Sequence, residues 1–143
     1  MSLYEIVSER REPTYAVRSP ADAFKALERY KNKRNEHFFV LTLNGAHEVI
    51  AVRIVSIGLL NRTVVHPREV YYQAIKDNAA AIIVAHNHPS GSLSASPEDI
   101  EISRRLREAG QLLGISLLDH VIFSKRGHCS MVEQGLMSPP SSD

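Results

Sequence analysis

The sequence predicts one α/β (α+β) domain built on a mixed central sheet, and three observations carry that reading. Segments with helical periodicity and helix-start residues alternate with β-rich segments, in the order helix, strands, helix, strand, helix, strands. The run "AAAIIVA" (79–85) is short and apolar at every position, as a strand covered on both faces would be. Two β-rich runs flank Asn44-Gly45, the strongest short hairpin turn signal.

Residues 1–18 show no convincing period; "YEIV" could add an edge strand before Pro13 interrupts it. They are read as an N-terminal extension, with the domain over 19–135 and a disordered tail over 136–143. "SPADAFKALERYKNKR" (19–34) reads as a helix, with Ser19 as N-cap, Pro20 at the first position and Asp22 in the first turn. Ala23, Leu27 and Tyr30 form its inward stripe. "EHFFVLTLNGAHEVIAVRIVSIG" (36–58) is the hairpin, and "RTVV" (62–65) a third short strand leading to His66-Pro67. "PREVYYQAIKDN" (67–78) is a helix with Val70/Ala74 and Tyr71/Ile75 spaced four apart. "SPEDIEISRRLREAGQLLG" (96–114) is another, with a stripe of Ile102, Leu106, Ala109 and Leu113 and Gly114 as its end. "ISLLDHVIFS" (115–124) and "HCSMV" (128–132) are strands joined by a turn at "KRG".

A chain of 143 residues fits one domain and buries roughly 70% of its unfolded surface, so folding itself requires neither disulfide nor metal. A formal net charge of +1 gives no global electrostatic argument for nucleic acid or membrane. The single Cys129 cannot build a disulfide framework and suits a reducing compartment. The start "MSLYEIVSERREP" is charged where a signal peptide would be apolar, and no run reaches membrane-span length. A cytoplasmic location is the default expectation.

Chemistry concentrates in "AHNHPSGSLSASPED" (85–99). His86 and His88 are two apart at a strand end, so their side chains point to one side if the extended conformation persists. Asp99 lies in the first turn of the next helix, and Pro89, Gly91 and the serines between them permit a sharp return. Two imidazoles and a carboxylate from a strand end and a helix start are the ligand set of an open catalytic zinc site. A proton acceptor outside the ligand set is then needed. Glu36, directly before the apolar run "HFFVLTL", is a candidate beside Glu48, Glu69 and Glu98.

His86-x-His88, seven residues, then Ser96-x-x-Asp99 resembles the JAMM motif of JAB/MPN-type metalloproteases in all four positions. "HNHPSG", "HPRE" (66–69), "LLDHVI" (117–122) and "SPADAF" resemble the blocks of the RadC-like branch, in order, over roughly residues 18–135. The resemblance implies a cytidine-deaminase-like JAMM/MPN fold, a curved mixed sheet flanked by helices, with one Zn2+ per chain. It implies that His86, His88 and Asp99 hold the metal, that Glu36 is general base and then acid, and that Ser96 helps stabilise an oxyanion. The implied reaction is hydrolysis of a peptide or isopeptide bond by metal-activated water. Two departures lie near the motif: Ala95 where the family commonly has proline, and Leu59 where a small hydroxyl residue is more usual.

Plainer readings stand beside these. Ser96 before Pro97 is what an N-cap looks like without catalysis, and one hydroxyl is expected to serve only one of the two roles at a time. Asp99 favours the positive end of a helix dipole in any case. Asp119-His120 is either an outer-shell pair or a structural pair at a strand bend, and Cys129 reads as buried packing. "HNH" matches a nuclease class in spelling only. The basic clusters "RYKNKR" and "RRLR" are the sole sequence support for an alternative role as an accessory module in DNA repair or processing. The expected partner is a peptide or protein substrate of unread identity, with no membrane. An exposed edge strand could support a dimer, and the oligomeric state is otherwise unread.

Overall fold

The computed structural model describes residues 16–58 and 65–138. Helix α1 (Pro20–Leu27) starts at Ser19, whose hydroxyl accepts from the Asp22 amide at 3.4 Å. It passes into a 3-10 turn over Glu28–Tyr30, so the helix is shorter than the 19–34 expectation. Strands β1 (His37–Leu43) and β2 (Val49–Ile57) form the hairpin. Its turn is wider than a two-residue Asn-Gly connection. Asn44 spans it, with its side-chain oxygen accepting from the Ala46 and Glu48 amides, and the positive φ falls on His47 at 60°. The "YEIV" strand and all but Val65 of "RTVV" lie outside the described residues, as does Leu59.

Helix α2 (Pro67–Lys76) follows, then β3 (Ala81–Asn87), helix α3 (Pro97–Leu113), β4 (Ser116–Ser124) and β5 (Gly127–Ser130). The sheet order is β2-β1-β3-β4-β5. All neighbours are antiparallel except β3 and β4, which run parallel and take α3 as the crossover that parallel strands require. This is the mixed α/β architecture expected from element order, a five-stranded mixed sheet flanked by three helices.

Alternation divides the strands between two apolar layers. Phe39, Leu41 and Leu43 of β1 and Ala81, Ile83 and Ala85 of β3 pack with Ala23 and Leu27 of α1. Phe38, Val40, Ile82 and Val84 pack on the other face with Val70 and Ala74 of α2 and Leu106 of α3. Every residue of β3 is buried, as its apolar run predicts. In β4 the register slips between Ile82↔Leu117 and Ile83↔Asp119, skipping Leu118. That extra residue changes the phase of β4, and His120 comes to pair with Val84 on the α2/α3 face.

The buried stripe of α3 is Asp99, Ser103, Leu106 and Gly110, whereas Leu113 is 49% exposed. Ile102, Leu106 and Ala109 of the expected stripe do pack on the core, but three of the four buried positions are polar or carry no side chain, so the buried line is rotated away from Leu113. Gly114 ends the helix in the left-handed conformation (φ 73°). At Gly110 the helix closes on its neighbours. A β-carbon there would sit 2.3 Å from the Ile115 carbonyl oxygen and 2.4 Å from the Tyr71 hydroxyl, which itself donates to the Leu106 carbonyl at 2.6 Å. Gly110→Ala is therefore expected to destabilise by about 1–3 kcal/mol, despite the gain of roughly 1 kcal/mol in helix propensity. Urea unfolding checks this; a stabilised variant would show that α3 can lift off Ile115 without cost.

Candidate metal centre

The centre lies where β3 ends and α3 begins. His86 follows Ile82 and Val84 in phase, so its ring enters the layer beneath α2 and α3, fully buried and stacked near Phe38 (centroids 6.2 Å apart, planes at 9°). His88 stands one residue beyond the strand, and its amide still donates to the Phe123 carbonyl at 2.9 Å. The chain then turns back, with the Gly91 amide on the His88 carbonyl (3.0 Å) and the Ser124 hydroxyl on the Gly91 carbonyl (3.1 Å). At the start of α3 the Ser96 hydroxyl accepts from the Asp99 amide at 3.1 Å, and the Asp99 carboxylate accepts from the Ser96 amide at 2.8 Å. This reciprocal box satisfies two amides that a helix start otherwise leaves open, and it fixes the Asp99 side chain in its rotamer.

Three donors converge. His86 Nε2 is 2.8 Å from His88 Nε2 and 3.2 Å from Asp99 Oδ1, and His88 Nε2 is 3.7 Å from Asp99 Oδ2. A tetrahedral zinc with bonds of 2.0–2.1 Å separates its ligands by about 3.3 Å, and the donor atoms lie around that spacing, each histidine facing a different oxygen of Asp99. Among the described residues this is the one group of three His, Cys, Asp or Glu side chains able to hold a metal ion. The ion's identity is a separate matter from the fit.

Each histidine already has an outer partner on its other ring nitrogen. His88 Nδ1 lies 3.1 Å from the Ser92 carbonyl, to which it can only donate, so its Nε2 is left as a lone pair. His86 Nδ1 lies 2.8 Å from His120 Nε2. The hydrogen bond that the Asp99 carboxylate accepts from His88 raises the His88 pKa, against the opposing effect of burial, and the charges of Asp99 and Glu36 add to it. Burial would push Asp99 up, but its bonds to His86 and His88 and to the Ser96 amide outweigh that and hold it well below the usual carboxylate range. It is a carboxylate prepared for cations.

Glu36 is not one of the convergent donors, but its charge reaches His88. The pairing Phe38↔His86, extended two residues, sets Glu36 opposite His88. Its backbone is pinned on three sides. The Asn87 side chain accepts from the His37 amide (2.7 Å) and donates to the Asn35 carbonyl (3.1 Å), while the Glu36 carbonyl accepts from the Gly58 amide (2.7 Å). Asn87 thus locks the Glu36 segment to the strand that carries His86 and leads into His88.

His86, His88 and Asp99 are brought together, the charge of Glu36 reaches His88, and Ser96 caps the helix. The cap uses a lone pair of the Ser96 oxygen, so its proton stays available to donate; the expectation that one role excludes the other does not hold. The side chains of Asp119 and His120 do not pair with each other, although the Asp119 carboxylate accepts from the His120 backbone amide at 2.8 Å. Asp119 turns to the Ser130 hydroxyl and the Val132 amide, and burial raises its pKa; His120 turns the other way, to His86. Cys129 is half-buried rather than buried, its thiol pushed up mainly by that burial. Sequence reasoning missed Asn87 and Ser103. Ser103 lies four residues after Asp99, one turn along the same helix face, and that spacing was the available signal.

No helix of the described residues is long and apolar enough to cross a membrane. The sequence model of one family, described as "RadC-like JAB domain", matches residues 17–136. Relatives named "UPF0758 protein" are similar to this chain. One from Methanospirillum hungatei is 61% identical over 93 residues, 65% of this chain and 41% of the relative. One from Alkaliphilus metalliredigens is 48% identical over 124 residues, 86% of this chain and 53% of the relative. One from Geotalea uraniireducens is 44% identical over 131 residues, 91% of this chain and 58% of the relative. The chain thus spans about half the length of these curated relatives. With the family's match running from the strand-flanking helix to the last described turn, across the whole sheet and every residue of the centre, this chain belongs to the RadC-like JAB domain family.

Proposed function

We propose that this domain is a zinc-dependent hydrolase that cleaves a peptide or isopeptide bond. The observation that carries the reading is the convergence of His86 Nε2, His88 Nε2 and an Asp99 oxygen, with both Nδ1 atoms occupied by outer partners. Three protein ligands leave a fourth position open, which is the pattern of catalytic rather than structural zinc. When bound, zinc supplies Lewis-acid chemistry there, lowering the pKa of water toward ~7 and polarising a carbonyl.

The chain's own residues do the rest. Glu36, held opposite His88 by Asn87, takes the proton from the attacking water and returns it to the leaving nitrogen. Ser96 keeps Asp99 in place through its lone pair and offers its proton to the oxygen on which charge develops. Arg104 of the basic cluster "RRLR" is engaged by Glu101 and Glu108 on its own helix, which reads as a solvated ion-pair face.

Elemental analysis of protein purified without chelator tests the metal. About one zinc per chain is expected for the wild type, with none retained by folded His88→Ala or Asp99→Ala. A folded wild type that takes up no stoichiometric zinc, even when zinc is added back, would sink the hydrolase.

A further inference from the structure

Behind His86 lies a buried chain of polar groups that the proposed chemistry does not use. His86 Nδ1 is 2.8 Å from His120 Nε2, His120 Nδ1 is 2.5 Å from the Ser103 hydroxyl, and that hydroxyl is 2.9 Å from the Asp99 carbonyl. His86 and His120 are wholly buried and Ser103 is 2% exposed, so bulk solvent does not reach these atoms. The chain begins at one ligand's imidazole and ends on the backbone of another.

Proton counting allows two arrangements on the same heavy atoms. In one, Ser103 donates to the Asp99 carbonyl and accepts from His120 Nδ1–H, and His120 Nε2 then accepts from His86 Nδ1–H. His86 Nε2 is left as a bare lone pair facing His88 and Asp99. In the other, Ser103 rotates to donate to His120 Nδ1, His120 Nε2–H donates to His86 Nδ1, and His86 Nε2 carries a proton toward Asp99 Oδ1 at 3.2 Å. Only the first presents a ligand atom.

We infer that Ser103 and His120 form a relay whose serine, by accepting from His120 and donating to the Asp99 carbonyl, selects the His86 tautomer able to bind metal. They are positioning residues and touch neither metal nor substrate. The Leu118 slip in β4 and the four-residue step from Asp99 to Ser103 are what bring the two onto this face. The inference rests on the zinc reading above. Without the serine oxygen, a proton on His120 Nδ1 has no good acceptor in a buried site, and the second arrangement is favoured.

The test is zinc affinity of the full chain, measured by chelator competition on metal-free protein for wild type, Ser103→Ala, Ser103→Thr and His120→Ala. Ser103→Ala, which changes shape least, is expected to weaken zinc about 10–100-fold while leaving far-ultraviolet dichroism unchanged. His120→Ala should weaken it similarly, and Ser103→Thr, which keeps the hydroxyl, should restore most of the loss. Nitrogen NMR of the zinc-loaded wild type should read His120 as the Nδ1–H tautomer, a signature that a merely space-filling Ser103 would not control. Wild-type affinity and the same tautomer in Ser103→Ala would overturn the relay and leave the hydrolase standing. Absence of zinc from the wild type would sink both.

Discussion

Glu36→Gln is expected to keep its zinc and lose about 10²–10⁴-fold in hydrolytic turnover, the usual contribution of a positioned general base. Gln preserves the shape of the side chain and its hydrogen-bonding reach but cannot take a proton from water. Glu36 lies outside the three converging donors, so metal content should not change. Its backbone is held by Asn87 and Gly58, contacts that the substitution leaves in place, so the segment should stay where it is. The measurement is zinc content beside turnover of an internally quenched peptide mixture and of isopeptide-linked substrates. Equal turnover in both proteins would remove Glu36 from the mechanism. A binding module that holds zinc as a remnant would show no turnover in either, and that outcome would favour the accessory reading.

Asp77→Ala is expected to cost the fold about 3–5 kcal/mol, a large share of the ~5–15 kcal/mol that holds a domain together. Asp77 caps the end of α2 with its side chain wholly buried. One oxygen takes the Arg53 Nη2 at 2.6 Å; the other takes Arg53 Nε at 3.2 Å and the Thr42 hydroxyl at 2.7 Å. The bidentate contact ties the β1–β2 hairpin to α2. Removing the carboxylate strips a guanidinium that is 8% exposed of both oxygens at once, and the charged, hydrogen-bonded partner that offset its desolvation is lost. Asp77→Asn keeps the volume and one acceptor and should lose less. Urea unfolding with an unchanged slope would report the difference; a loss under about 1 kcal/mol would mean that Arg53 reaches water once its partner is gone.

Much of this was legible along the chain because it is local. The starts of α1, α2 and α3 carry their own chemistry in Ser19-Pro20, His66-Pro67 and Ser96-Pro97. The apolar run of β3 declares a strand covered on both faces, and its last residues place His86 and His88 at one end. Asp99 is one helical turn from a serine cap, and the motif spacing joins it to the histidines. Local order dictates such features because neighbouring residues in a strand or helix have fixed relative directions.

Other features depend on partners far away in sequence, and local pattern could not show them. The stripe of α3 was legible only in part: Ile102, Leu106 and Ala109 pack on the core, but Asp99, Ser103 and Gly110 face inward without being apolar, and only packing against Tyr71, Ile115 and His120 makes those positions interior. The turn at Asn44 widened because Asn44 uses its side chain to close a longer loop. His120 and Asp119 looked like a pair, yet a one-residue slip against β3 sends one to His86 and the other to Ser130. The sequence by itself determined the helices, the apolar strand and which residues could bind a metal. Tertiary structure alone decided that their nitrogens and oxygens converge, that Asn87 ties the Glu36 segment to the end of β3, and that Ser103 stands behind His86. The Asn87 and His120 contacts cross tens of residues and are set by strand register and helix docking, which no short stretch of chain encodes.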